Sequence, residues 1–241
     1  FPETYLESEN EDQKSVRIAK INQNMSRYLA NGMFEELNDS VVLIERTLKD
    51  GRTRHGLILA VDLEQYDFSR GSQSLIRATE GTIIDRLPPR IRIRENAMLE
   101  LPHIMLLIDD RKNTVIEPLY NKADTFRQVY SFDLMKQSGS IKGWKISDED
   151  DLENMARALL KLADPAEFKS HYNLNGNQGV LLFAVGDGNH SLATAKSCWE
   201  KLKKTLTLEE ISTHPARYAL VEVVNLHDRG LIFEPIHRVL F

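Results

Sequence analysis

A short polar segment, residues 185–191, stands between an apolar run and a helical pattern, and it reads Val-Gly-Asp-Gly-Asn-His-Ser. A strand that turns into a helix here presents backbone N–H groups at the positive end of the helix dipole, which attracts phosphate or carboxylate. Gly186 and Gly188 would allow the backbone to approach such an anion closely. Asp187 could hold a divalent cation, and His190 could act as an acid, a base or a hydrogen-bond donor.

A purely structural role for the same residues stays open. Asp187 and Asn189 could simply cap the helix while His190 donates to a neighbouring carbonyl. The concentration of glycines and polar groups directly after an apolar strand favours a ligand site, because α/β sheets bind ligands at such strand ends.

A second candidate segment is Arg77–Thr82 together with Asp85 and Arg86. Glu80 could serve as a general base and Arg86 could bind an anion, although ordinary surface roles are equally compatible with the sequence. Alternating arginines follow, and this pattern favours a solvated face of a strand or helix: Arg90, Arg92 and Arg94.

A third candidate lies at the end of the chain, where His237 and Arg238 follow an apolar run that begins at Gly230. The two side chains could reach an anion in the same cleft, or they could belong to the surface of an edge strand. His103, which precedes another apolar run, is predicted to be structural.

The composition limits the classes of protein to which the chain can belong. With 41% hydrophobic and 28% charged residues, the 241-residue chain can bury a sizeable core. A net charge of -5 argues against general affinity for nucleic acid. No stretch approaches the roughly 18 apolar residues of a membrane span, and a single cysteine, Cys198, suits a reducing cytoplasm. We therefore predict a cytoplasmic protein.

We expect residues 1–241 to form one compact α/β region, with a subdivision near residue 147 as the alternative, and to be a fragment of a longer chain. The chain lacks a Walker-type phosphate loop, a Gly-x-Ser-x-Gly elbow and a His-Glu-x-x-His pair. The common NTPase, esterase and zinc-protease classes are therefore disfavoured.

The pattern of apolar residues predicts a mixed, largely antiparallel sheet with flanking helices. Three hairpins are predicted: Val41–Leu48 with Gly56–Leu63, Ile104–Ile108 with Thr114–Leu119, and Phe126–Met135 with Ile141–Ile146. Further strands are predicted at Val180–Val185, Tyr218–Val224 and Leu231–Leu240, and helices at Asp12–Leu37, at Leu152–Leu162 with a Ser147 cap, and after His190. Residues 64–90 read as an ordered loop or short helices.

Taken together, three segments resemble a prokaryotic family catalogued as domain of unknown function 1015. They are the Thr79–Arg86 block, the Val185–His190 loop and the Gly230–Arg238 ending. In many relatives the loop looks like Ala-Asp-Gly-His-His-Arg, which is similar to the phosphate-handling loop of the ParB and sulfiredoxin-like fold and of free serine kinases. The resemblance implies a ParB-like core, nucleotide binding and phosphoryl transfer.

Carried over by position, Asp187 and His190 match the acidic residue and the second histidine of that loop. Asn189 stands where the first histidine would be, and Ser191 replaces an arginine expected to contact phosphate. Another cation would have to substitute for this arginine, and the candidates are Arg86, Lys196 and Arg238.

The leading hypothesis is a phosphotransferase that uses Mg²⁺ and a nucleoside di- or triphosphate to phosphorylate a small hydroxylated metabolite. In it, Asp187 holds the metal or the acceptor and Glu80 or His190 accepts the hydroxyl proton. The phosphates and their charge are assigned to Gly186, Gly188, Asn189, Ser191, Arg86, His237 and Arg238. Two alternatives stay open: a non-catalytic nucleotide or metabolite regulator, and a metal-dependent phosphoester hydrolase that uses Glu80, Asp187 and His190.

Overall fold

A computed structural model describes residue 1, residues 4–101 and residues 103–232 of the chain. The strands within these residues are β1 (Val41–Thr47), β2 (Thr53–Asp62), β3 (Tyr66–Asp67), β4 (Ile76–Ala78), β5 (Met105–Ile108), β6 (Arg127–Asp133), β7 (Ser140–Ile146), β8 (Phe183–Asp187) and β9 (Tyr218–Asn225). They form one nine-stranded sheet in the order β3-β4-β8-β5-β9-β2-β1-β7-β6.

Helices flank this sheet in the described part of the chain. They are α1 (Thr4–Ser8), α2 (Glu11–Ala30), α3 (Leu87–Arg94), α4 (Glu117–Tyr120), α5 (Glu149–Leu162), α6 (Pro165–His171), α7 (Asn189–Lys203) and α8 (Leu208–Thr213). The predicted mixed α/β class is confirmed. None of the described helices has the length and apolar character needed to cross a membrane.

Two of the predicted hairpins are confirmed. β1 and β2 pair antiparallel, with Thr47 opposite Thr53, around a turn in which Gly51 has φ +84°. β6 and β7 also pair antiparallel, and Gly139 in their turn has φ +94°. Glycine adopts this left-handed region without steric cost, and the local sequence therefore determines both turns.

The predicted hairpin of Ile104–Ile108 with Thr114–Leu119 is wrong. β5 pairs antiparallel with β8 and parallel with β9, whereas residues 114–116 form no strand and lead into α4, which contains residues 117–119. The Asp110 carboxylate accepts hydrogen bonds from the backbone N–H groups of Thr114 and Val115, which closes a turn here. Val115 is 1% exposed, so packing inside the turn, rather than strand pairing, buries this apolar run.

Several predicted boundaries move. α2 ends at Ala30 rather than Leu37, because Gly32 takes a left-handed conformation with φ +61°. The cap of α5 is Asp148, which accepts from the N–H of Asp151, and not Ser147. The strand predicted at Val180–Val185 corresponds to β8, which begins three residues later than predicted.

The core lies between the sheet and its helices, and α7 is packed most deeply into it. Leu192, Ala195 and Trp199 lie on one face of α7 and are at most 1% exposed, as their helical spacing predicts. β8, which leads into α7, buries Val185 completely. The sequence from β8 to α7 is therefore a strand–loop–helix unit held firmly at both ends. The strand predicted over Leu231–Leu240 lies mostly outside the described residues, and its first two residues belong to no strand.

Candidate functional site at the ends of β4 and β8

The parallel pairing of β4 with β8 brings two candidate segments together. Ala78 lies opposite Val185, so Thr79 and Glu80 leave the sheet beside Gly186 and Asp187. The Thr79 hydroxyl donates to the Val185 carbonyl over 2.6 Å. Since ligands of α/β sheets bind beyond the carboxyl ends of parallel strands, this edge is the expected position for a site.

Asn189 and His190 hold the two segments to each other. The Asn189 amide oxygen accepts from the Thr79 N–H at 3.3 Å, and the side chain is 5% exposed. His190 Nε2 accepts from the Ile83 N–H at 3.2 Å. In a neutral imidazole that accepts at Nε2, the proton is on Nδ1. His190 therefore has no open acceptor nitrogen as long as this contact persists.

Gly188 allows the chain to turn from β8 into α7. Its φ is +82°, it occupies the N-cap position, and its N–H donates to Asp187 Oδ1 over 2.7 Å. A Cβ atom at this position would lie 3.0 Å from the Cα of Ile104 on the neighbouring strand segment. Both the backbone conformation and the close approach of the chains therefore require glycine.

We expect Gly188→Ala to lower the free energy of unfolding by about 2 kcal/mol, because a left-handed alanine costs roughly 1–2 kcal/mol before the contact with Ile104 is added. Chemical denaturation measures the change. Gly81→Ala, on the adjacent segment, is the matched control, since its Cβ would meet no atom within 4 Å. Equal stability of the two variants would contradict the prediction.

The N-terminus of α7 is open to an anion. Among the described residues no side chain caps it and no acidic residue occupies its first turn, while Lys201 and Lys203 lie in its last turn. The helix is 15 residues long, and its dipole leaves partial positive charge at Asn189 and the residues after it. Partial positive charge of this kind favours an anion, and the anion site itself remains a prediction.

Glu80 and Asp187 are both exposed residues of the site. Glu80 lines a cleft of about 640 Å³ together with Thr79, Thr82 and Arg77. Within the part of the chain that the structure describes, no group of three or more His, Cys, Asp or Glu side chains is arranged to hold a metal ion. A cation at Asp187 would need phosphate oxygens and water as its remaining ligands.

The basic residues considered for phosphate binding divide into three groups. Arg86 is exposed at the start of α3, directly after the Thr79–Ile83 segment. Lys196 is engaged elsewhere, because its ammonium group donates to the Leu63 carbonyl at 2.9 Å and pairs with Glu200 at 2.8 Å. His237 and Arg238 lie outside the described residues.

The arginines after Arg86 form contacts typical of a protein surface. They lie on α3, where Arg92 pairs with Glu11 of α2 and Arg94 pairs with Glu100. Arg90 donates to the Arg86 carbonyl over 2.9 Å. Arg92 and Arg94 are thus used in ion pairs between surface elements.

Sequence reasoning missed a contact of His103, which it assigned to a structural role. His103 Nε2 lies 2.7 Å from Ser191 Oγ, and His103 Nδ1 lies 3.0 Å from the Leu101 carbonyl oxygen. The antiparallel pairing of β5 with β8 brings the start of β5 to the end of β8, since Met105 lies opposite Asp187. No local pattern joins two residues that are 88 positions apart.

A second polar cluster surrounds Asp109, which follows the last residue of β5. The sequence predicted only a hairpin turn at this position. His227 Nε2 lies 2.6 Å and His171 Nε2 3.1 Å from the Asp109 carboxylate, and the Tyr172 hydroxyl also donates to it. Burial raises the pKa of Asp109, but the hydrogen bonds of His227, Tyr172 and His171 outweigh it and hold the pKa at about 2. The cluster borders a cavity of about 150 Å³.

Comparison with known proteins shows one family. No curated protein and no solved structure matches the chain. The ParB-like core and the kinase resemblance therefore remain predictions. The sequence profile of one family covers the chain from residue 1 to residue 241, which confirms the resemblance carried by the loop and its neighbouring segments. The chain belongs to the family described as Protein of unknown function (DUF1015).

Proposed function

We propose that this protein binds a nucleoside di- or triphosphate with Mg²⁺ at the loop between β8 and α7 and transfers a phosphoryl group to a small hydroxylated metabolite. The observation that carries the proposal is the junction of residues 79–83 with residues 185–190. It places a carboxylate-bearing segment beside an uncapped helix N-terminus at one edge of the sheet.

The phosphates are held by the first turn of α7. The N–H groups of Asn189, His190 and Ser191 have no acceptor within the helix, because of their position in its first turn. Gly186 and Gly188 keep side chains away from the loop backbone. Because phosphoryl transfer is catalysed mainly by positioning and charge neutralisation, such a cradle supplies much of what the reaction needs.

Asp187 is suited to hold Mg²⁺, which proteins bind through one or two carboxylates together with substrate phosphates and water. The bound ion would neutralise charge on the phosphates. The Asp187 carboxylate is exposed and bonded to the Gly188 N–H through only one oxygen, which leaves the other available. Arg86, exposed at the end of the adjoining segment, adds a second positive charge.

Glu80 is the proton acceptor in this proposal. His190 engages Nε2 with the Ile83 N–H and carries its proton on Nδ1, so it serves to fix the loops. Glu80 instead faces the cleft of about 640 Å³, which is large enough for a small metabolite. The acceptor hydroxyl would give its proton to the Glu80 carboxylate as the new P–O bond forms and the bond between the transferred phosphorus and the leaving oxygen of the nucleotide breaks.

The test is a thermal-shift screen with ATP, ADP, CTP and GTP in the presence of Mg²⁺. A nucleotide at ten times its Kd stabilises the folded state by about 1.4 kcal/mol, which raises Tm by about 3–5 °C in a protein of this size. We expect such a shift for at least one nucleotide and its loss in Asp187→Asn. The variant should keep the wild-type Tm without ligand, because an asparagine oxygen can still accept from the Gly188 N–H.

The matched control is Asp133→Asn, which changes an exposed aspartate of β6 at the far edge of the sheet. It should respond to nucleotide as the wild type does. An equal shift in Asp187→Asn would remove Asp187 from the proposal, and no shift with any nucleotide would refute it. Binding without phosphoryl transfer to any hydroxylated metabolite would favour the regulator over the enzyme.

A further inference from the structure

Ser191 and His103 have the geometry of a nucleophile and its base. The Leu101 carbonyl can only accept a hydrogen bond, so the contact of 3.0 Å requires the proton on His103 Nδ1. In the neutral imidazole Nε2 then has a free lone pair, and the Ser191 hydroxyl donates to it over 2.7 Å. An acceptor nitrogen at this distance activates a serine for attack.

Different elements fix the two partners. Ser191 lies in the first turn of α7, whose buried face anchors the helix. His103 lies two residues before the start of β5, which pairs with both β8 and β9. The absence of a side chain at Gly188 lets the two elements meet, because a Cβ there would lie 3.3 Å from the His103 carbonyl oxygen. The pairing of these elements therefore brings the two side chains together.

A cleft of about 350 Å³ with a largely apolar lining opens beside this pair. Its apolar side chains include Ile21, Met25, Ile93 and Leu99, and its polar ones include Ser191, His103, Arg90, Arg94 and Glu100. This size is that of a small-ligand pocket, and the apolar part of the lining suits a hydrocarbon group.

We propose that the Ser191–His103 pair cleaves carboxylic esters that carry an apolar acyl group of moderate length, with the acyl chain in this cleft. The inference does not rest on the proposed phosphoryl transfer and needs neither nucleotide nor metal. The missing Gly-x-Ser-x-Gly pattern does not oppose it, since that pattern belongs to the nucleophile elbow of one fold and serine–histidine pairs occur on unrelated folds.

The reaction has two steps. Ser191 Oγ attacks the carbonyl carbon and its proton passes to His103 Nε2, while the first-turn N–H groups of α7 stabilise the negative oxygen. The ester C–O bond breaks, and the alcohol leaves with the proton from His103. Water then attacks the acyl carbon and gives its proton to His103. The carboxylic acid departs as Ser191 Oγ regains a proton.

The experiment treats the full chain with a fluorophosphonate probe and locates the adduct by peptide mass spectrometry. We expect the adduct on Ser191, no adduct in Ser191→Ala, and labelling about 100-fold slower in His103→Gln, in line with the loss of a general base. Ser197→Ala is the matched control, because Ser197 lies on the same helix and its hydroxyl only donates to the Ala193 carbonyl. It should label as the wild type does.

The substrate class is tested with p-nitrophenyl esters in the absence of nucleotide. Hydrolysis of the hexanoate should have a higher kcat/KM than that of the acetate, because only the longer chain fills the apolar cleft. An adduct on another residue, no adduct on the wild-type protein, or wild-type labelling of His103→Gln would overturn the pair. Equal kcat/KM for the two esters would overturn the acyl cleft. Adduct mapping on the wild type decides the matter even if a variant misfolds.

Discussion

Trp199→Ala is expected to lower the free energy of unfolding by about 3–5 kcal/mol, as measured by chemical denaturation. Trp199 is fully buried, with 0% exposure, and it is the largest such side chain in the core of the described residues. Its removal leaves a cavity that the rigid neighbours cannot fill. The effect reaches the site because Trp199 anchors α7, whose first turn carries both the proposed phosphate cradle and Ser191.

Trp199→Phe is the matched variant, since it keeps an aromatic ring and loses the indole N–H, which donates to Glu64 Oε1. Glu64 retains the ammonium group of Lys203 at 2.7 Å, so we expect a cost of only about 1–2 kcal/mol. A loss below about 1 kcal/mol for Trp199→Ala would show that α7 is not held by this residue.

The parts of the fold that the sequence predicted are those whose cause is local. Asp50 and Gly51 determine one hairpin turn, and Ser138 with Gly139 determines another. The apolar stripe of α7 and the glycines before it likewise predict a strand, a loop and a helix from neighbouring residues. Each of these signals depends on a backbone conformation or a periodicity within about a dozen positions.

The central strands could not be placed in this way. The run of Ile104–Ile108 has the composition of a buried strand, but its partners, β8 and β9, begin about 75 and 110 positions later. An adjacent apolar run, which includes Val115 and Ile116, offered a nearer partner and gave the wrong hairpin. Its residues are buried by the turn that Asp110 closes, and composition alone does not distinguish the two kinds of burial.

The candidate site shows the same difference between local sequence signals and contacts between distant segments. The loop before α7 and the Thr79–Glu80 segment were found from residue types, but their contact arises from the parallel register of β4 with β8. The contact of His103 with Ser191 was missed because only the antiparallel register of β5 brings the two residues together. The sequence therefore identified the candidate segments, whereas the contacts between these segments depend on the order of the strands in the sheet.

Arg54→Met is expected to lower the free energy of unfolding by about 3 kcal/mol at pH 8, the lower end for a broken buried ion pair. Arg54 lies 2.7 Å from Glu222 across β2 and β9, with side-chain exposures of 17% and 18%. Gly56 makes room for the carboxylate, since a Cβ there would lie 2.9 Å from Glu222 Oε1. Without Arg54, Glu222 would remain in this space as a charge that has lost its partner.

The loss should be smaller at pH 5 than at pH 8. Burial raises the pKa of Glu222, while the charge of Arg54 partly opposes it, so removing Arg54 raises this pKa further. A folded-state pKa above the unfolded value makes the folded state bind the proton more tightly. Stability is then greatest below the unfolded pKa and falls as pH rises through the folded one.

Denaturation of wild type and Arg54→Met at pH 5, 6.5 and 8 measures the difference. The double variant Arg54→Met with Glu222→Gln is the control, because it removes both the cation and the titrating carboxyl. Its stability difference from wild type should vary less with pH than that of the single variant. A deficit in Arg54→Met that is constant from pH 5 to 8 would mean that lost packing, and not the charge on Glu222, is the cause. The centre of the sheet would then tolerate an unpaired carboxylate between β2 and β9, contrary to what its burial predicts.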